Sequence, residues 1–170
     1  MDSVTAWVDR GWLVGAEVLV RRDEQTVLHE AVGLADRESG RPLERNSLFR
    51  IRSMSKPMIG TAILMLAEEG RLSLDDRAST HLASFDNEQS RGVRIRELLT
   101  HTSGLGNHGA ENIGLPRDAD DYDSLAELVQ DIGAIGPQYP RGEFRYSDSG
   151  SATLAQIVAS LSGMPIEDFF

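Results

Sequence analysis

The chain has 170 residues, no cysteine and a formal net charge of -10. That length suits one domain with a real core, while the acid excess excludes a phosphate-neutralising stripe, and with it nucleic acid, and disfavours an anionic membrane surface. Without cysteine there are no disulfides, no zinc-thiolate sites and no thiol catalysis.

The N-terminus carries neither a basic segment nor an apolar one of signal type, so the expected location is cytoplasmic, without a signal peptide. Asp2 and Ser3 cap a short helix with Val4, Trp7 and Val8 on one face, stopped by Gly11. Two β-rich runs follow at 13–21 and 26–34, joined by the polar residues 22–25, a connection of hairpin length. A two-stranded hairpin is marginal in water and needs more sheet or a covering helix. Residues 35–46 read as a loop punctuated by Gly40 and Pro42.

From Ser53 the pattern turns helical. Met58, Ile59, Ala62, Ile63, Met65 and Leu66 put apolar side chains around most of the circumference, which predicts a central, buried helix. Pro57 suits its first turn and Gly70 ends it. The apolar run is far shorter than the roughly 20 residues a bilayer requires. A second short helix is predicted over 93–99, broken at Thr102-Ser103-Gly104. Residues 104–121 lack periodicity and read as a long loop of the kind that is usually functional. An amphipathic helix over 122–132 and a turn around Pro140 lead to an extended piece, Phe144-Arg145-Tyr146. A last long helix over 149–161 carries Leu154, Ile157, Val158 and Leu161. Pro165 then opens a further helix that has barely begun when the chain stops, as if more were to follow.

The first chemical candidate is Ser53 with Lys56. At i and i+3 on a helix the amine reaches the hydroxyl, and the partial positive charge of a helix N-terminus favours an oxyanion there. Lys56 is the only lysine of the chain, its other basic residues being arginines. Arginine stays protonated at physiological pH, whereas a partly buried lysine can be tuned, so the pair suits a serine nucleophile beside an amine. Taken alone, Ser-x-x-Lys is as compatible with chance. Ser55 is the competing hydroxyl, next to Lys56 in sequence but turned away from it on a helix. The second candidate is Tyr146-Ser147-Asp148. A phenol near an ammonium can carry a proton, although for the motif taken alone a core tyrosine with a helix-capping serine or aspartate is the better reading. The third is His101, a possible general base but better accounted for as a residue that bonds a helix-ending turn. His101, His108 and Glu111 lack the two-histidine helical spacing of a zinc site, so no metal and no cofactor are expected.

These stretches together carry a resemblance. Residues 49–56 (Phe-Arg-Ile-Arg-Ser-Met-Ser-Lys), 69–76 (Glu-Gly-Arg-Leu-Ser-Leu-Asp-Asp), 98–105 (Leu-Leu-Thr-His-Thr-Ser-Gly-Leu) and 146–150 (Tyr-Ser-Asp-Ser-Gly) resemble, in order and spacing, the beta-lactamase-related serine hydrolases. That group includes class C beta-lactamases, penicillin-binding D,D-peptidases and related esterases. The resemblance implies an α+β, beta-lactamase/transpeptidase-like fold: a helical region plus part of an antiparallel sheet, with C-terminal strands missing. It implies a single incomplete domain over 1–170, with a strand hairpin at 13–34 and a mostly helical region at 53–170. Ser53 would be the acylated nucleophile, Lys56 and Tyr146 jointly its proton acceptors, and the Ser53 backbone N–H one oxyanion donor. Asp148 would face the substrate where many members carry asparagine. A carboxylate there would hold Lys56 charged and remove an amide donor, leaning away from a proficient beta-lactamase. His101 falls in a motif without catalytic duty.

The substrate implied is a small ester, amide or β-lactam, with neither nucleic acid nor membrane as partner and the oligomeric state open. The family's third motif, a lysine or histidine followed two residues later by glycine, is absent from these residues. The expectation is therefore an acyl-enzyme former with impaired turnover, and the alternative a non-catalytic relative that binds a ligand or has no function.

Overall fold

The computed structural model describes residues 1–170, which divide into two compact units, Met1–Ile51 and Arg52–Phe170. In the first unit, helix α1 (Asp2–Asp9) precedes strands β1 (Gly15–Arg22), β2 (Gln25–Asp36) and the two-residue β3 (Arg41–Pro42), antiparallel in the order β1-β2-β3. The strands extend further than expected, because Arg22 pairs with Gln25 and leaves only Asp23 and Glu24 in the turn. Both have positive φ, 49° and 64°, the geometry whose twist matches the flanking strands of a two-residue hairpin. Gly33 (φ +85°) is required by close approach: a Cβ there would meet the backbone of Val14 and Gly15 and the side chain of Val8. Removing the side chain at this point lets α1 lie on β2.

The second unit is helical. Its elements are α2 (Lys56–Glu68), entered through a 3-10 turn at Arg52–Ser55, then α3 (Ile95–Leu99), α4 (Leu125–Ile135), α5 (Asp148–Ser162) and α6 (Ile166–Phe169). The core gathers Ile63 and Leu66 from α2, Ile95 and Leu98 from α3, Val129 and Ile132 from α4, and Ile157 and Val158 from α5, closed by Phe85. Burying a side chain of this size contributes on the order of 1.5–3 kcal/mol.

The central helix is α5, not α2. α5 packs against α2, α3 and α4, and its first turns are buried through Ser149, Gly150, Ser151 and Thr153. Small side chains there permit close helix approach, and Thr153 spends its hydroxyl on the Ser149 carbonyl at 2.8 Å. α2 buries only Ala62, Ile63 and Leu66; Met58, Leu64 and Met65 remain 42, 49 and 48% exposed. An apolar circumference thus does not make α2 the hub: three of its large apolar side chains stay nearly half exposed.

Two other expectations shift. α4 begins at Leu125 because the Ser124 hydroxyl accepts the Glu127 N–H as its cap, leaving Tyr122 outside the helix. The piece Phe144-Arg145-Tyr146 belongs to no strand, yet it is tied down where Arg145 N–H donates to the His101 carbonyl at 2.8 Å.

Candidate active site

Ser53, Lys56, Tyr146 and Asp148 converge within the second unit. Ser53 sits in the 3-10 turn directly before α2, and the residue ahead of it, Arg52, has φ 52°. A bulky side chain in left-handed backbone is uncommon and costs on the order of 1–3 kcal/mol. The turn is held by Ser55, whose Oγ donates to the Arg52 carbonyl at 2.9 Å. That bond commits Ser55 to the backbone and separates the two serines: Lys56 Nζ donates to Ser53 Oγ at 3.1 Å.

On its other side the Lys56 ammonium meets Asp148 Oδ1 at 2.5 Å. Asp148 is delivered by the first residue of α5, whose cap is Ser147: its Oγ accepts the Gly150 N–H at 2.9 Å and donates to the Gly106 carbonyl at 3.0 Å. Ser147 is thus the helix cap, while the residues on either side of it, Tyr146 and Asp148, both lie against Lys56. Partial burial works to lower the pKa of Lys56, but hydrogen bonding to Asp148 and Tyr146 outweighs it and lifts the amine above the usual lysine value. The Tyr146 ring lies 5.0 Å from Nζ. Lys56 first, and Ser53 second, hold the Tyr146 phenol below its ordinary range, because a neighbouring ammonium favours the phenolate.

A cavity of about 250 Å³ lies beside the cluster, lined by Lys56, Gly60, Leu99, His101 and Ser151 among others. A larger one, about 680 Å³, is enclosed by the loop running from His108 to Ala119. His108 links it to α5, its Nδ1 lying 3.0 Å from Ser149 Oγ. Burial pushes the His108 pKa down, as it does that of His101. No group of three or more histidine, aspartate or glutamate side chains is arranged to hold a metal ion, and no helix is long and apolar enough to cross a membrane.

Two carboxylates complete the surroundings, Glu111, weighed above only as a metal ligand, and Glu97, which the residue patterns did not single out. Glu111 accepts from Arg145 at 3.0 Å and from the Tyr139 hydroxyl at 3.1 Å, bracing the long loop against the segment that carries Tyr146. Glu97 takes two N–H groups of Arg141. Both are long-range ion pairs, and nothing in local periodicity announces their partners.

The sequence profile of the beta-lactamase family matches residues 2–170. A protein of Bacillus subtilis (strain 168) named as a penicillin-binding protein, PbpX, is 36% identical over 157 residues, covering 91% of this chain and 37% of that protein. Esterase EstB of Burkholderia gladioli is 44% identical over 98 residues, or 55% of this chain and 25% of EstB. Among solved structures, EstCE1, a hydrolase with promiscuous acyltransferase activity, superposes with a TM-score of 0.85 at 29% identity, over 98% of this chain and 47% of its own. The chain thus spans about a third of PbpX, a quarter of EstB and about half of EstCE1.

Proposed function

The chain belongs to the beta-lactamase family, and from that premise we propose that it is a serine hydrolase module that forms an acyl-enzyme on Ser53 with a small ester, amide or β-lactam. One observation carries the reading: a single ammonium bridges the Ser53 hydroxyl at 3.1 Å and the Asp148 carboxylate at 2.5 Å, with the Tyr146 ring beside it. The names of the relatives, penicillin-binding protein, esterase and hydrolase, agree with acyl transfer.

The geometry divides the labour. Asp148 keeps Lys56 charged, and a charged lysine is no base, so Lys56 acts as the fixed cation of the pair. The proton acceptor is then the Tyr146 phenolate, which hydrogen bonding to Lys56 and then Ser53 makes easier to form than that of a free tyrosine. In acylation, Ser53 Oγ bonds to the carbonyl carbon while its proton passes to the phenolate oxygen. The carbonyl oxygen becomes an oxyanion, received by the Ser53 backbone N–H. Such a donor is worth roughly 3 kcal/mol in the transition state. The phenol then returns its proton to the leaving oxygen or nitrogen as the old bond breaks. In deacylation the phenolate takes a proton from water, which attacks the ester, and Ser53 leaves as the hydroxyl. With a carboxylate where an amide would donate to a substrate carbonyl, esters are favoured over β-lactams.

The direct test is intact-mass measurement after incubation with a fluorophosphonate or a fluorescent penicillin. One adduct on the wild-type chain, absent in Ser53→Ala, is expected. A folded protein that takes no adduct overturns the reading and leaves a binding role as its successor.

A further inference from the structure

His101 has features that a turn-forming residue does not need. Its backbone is left-handed, φ 56°, a conformation in which histidine, asparagine and aspartate are enriched among non-glycine residues. That conformation brings the imidazole against the Tyr146 ring, with centroids 4.7 Å apart and planes tilted by 34°, while Phe144 meets its edge at 6.0 Å. The Nδ1 atom accepts the Ser147 N–H at 3.3 Å, which requires Nδ1 to be unprotonated and places the neutral ring's proton on Nε2. The backbone carbonyl of the same residue accepts the Arg145 N–H. One residue thus grips the chain on both sides of Tyr146 and stacks on its ring.

We propose that His101, in its neutral form, is the positioning residue for Tyr146, and that its protonation steepens the loss of Ser53 acylation on acidification, beyond the loss due to protonation of the phenolate itself. This inference rests on the reading of Ser53 as nucleophile and Tyr146 as proton acceptor. Protonating Nδ1 removes the acceptor for the Ser147 N–H and turns that contact into a clash of donors. It also adds a second cation next to Lys56, which lines the same 250 Å³ cavity. The charged groups that bear on the imidazole are Lys56 from α2, which opposes protonation, and Asp148 from α5, which favours it; burial, the largest effect, acts with Lys56 against Asp148 and lowers the pKa below 6.5. From α3, Arg96 and Glu97 are engaged with Asp75 and Arg141. The neutral ring therefore persists through the neutral range and is lost only on acidification.

The experiment follows fluorophosphonate labelling of Ser53 across about pH 5 to 9 in wild type, His101→Asn and His101→Phe. Asparagine tolerates the left-handed backbone but has no ring to stack. Phenylalanine keeps a ring but cannot accept or take up a proton. The wild-type rate should fall on acidification as the Tyr146 phenolate is protonated, and fall more steeply below 6.5, where His101 takes up its proton. His101→Asn should label roughly tenfold to a hundredfold more slowly, the loss typical of a misplaced reacting group. His101→Phe should be slower by about tenfold at its best pH and should lose the histidine-type acid limb. In parallel, ultraviolet phenolate titration, with Tyr146→Phe as the subtraction, should show the Tyr146 phenol moving upward in His101→Asn. Acid limbs that superimpose in wild type and His101→Phe overturn the proposal, as does an unmoved phenol titration in a folded His101→Asn. If folded wild type takes no label, the acyl-enzyme reading falls instead, and the phenol titration alone decides whether His101 positions Tyr146.

Discussion

At the scale of single residues, the ion pair between Lys56 and Asp148 governs what the site can do. Because Lys56 is the only lysine, side-chain nuclear magnetic resonance of a lysine-labelled sample follows its titration without assignment by mutation. In Asp148→Asn the amine should titrate lower than in wild type, since the hydrogen bond and charge that lift it are gone and burial remains. The sign for stability follows: a raised folded pKa stabilises fully below the ordinary lysine value near 10.5 and the gain is lost as pH rises through the folded value. Alkaline unfolding monitored by circular dichroism should therefore begin earlier in Asp148→Asn. Replacing Lys56 by arginine keeps the charge but exchanges a compact ammonium for a planar fork; labelling of Ser53 should fall by at least about a hundredfold. Full labelling by Lys56→Arg would sink the argument from a compact cation. Ser53, Lys56, Tyr146 and Asp148 were all readable from linked motifs, because each sits at a fixed offset from a helix start. Helix geometry already prefers Ser53 to Ser55, and the Ser55–Arg52 hydrogen bond adds what occupies Ser55; the grip of His101 on Tyr146 needed contacts across more than forty residues.

At the scale of elements, α5 explains why the site is built where it is. Its capped start presents Asp148, its buried small residues admit α2, and α2 in turn presents Lys56. Ser147→Ala removes the cap and leaves the Gly106 carbonyl without its donor. The expected cost is about 1–2 kcal/mol, read as a lower urea midpoint with an unchanged slope. Gly104 (φ +76°) ends the turn after α3, where a Cβ would run into the Tyr139 carbonyl. Gly104→Ala should cost more than the cap, with strain and collision adding, and should lower the thermal midpoint by several degrees or more. Helix existence was clear from periodicity for α1, α2, α4 and α5. Rank among them was not, because α2 is the more apolar helix overall, while the closeness that makes α5 central comes from serine and glycine. The hairpin was recognised but its turn was placed two residues too wide, since Arg22 and Gln25 are polar and pair through the backbone alone.

At the scale of the whole molecule, two properties oppose each other. Met54, Met58, Leu64 and Met65 leave apolar surface exposed on and before α2, which favours association. A net charge of -10 resists it, by repulsion that salt screens. Sedimentation velocity should accordingly show association that grows from about 20 mM to 500 mM salt, and less of it in the double variant Leu64→Gln, Met65→Gln. No rise with salt would show that charge is not the restraint. The charge was plain from composition; the exposed face was not, because the same apolar residues read as core until the packing partners of α2 were known. The pairing of Lys56 with Tyr146 has one more consequence at this scale. With no cysteine, one lysine and three tyrosines, only four side chains of ordinary pKa between about 8 and 11 exist in the chain. Two of the four face each other at the site. The bulk alkaline buffering curve of this protein, elsewhere a blur of surface lysines, is to a large degree a record of the groups beside Ser53.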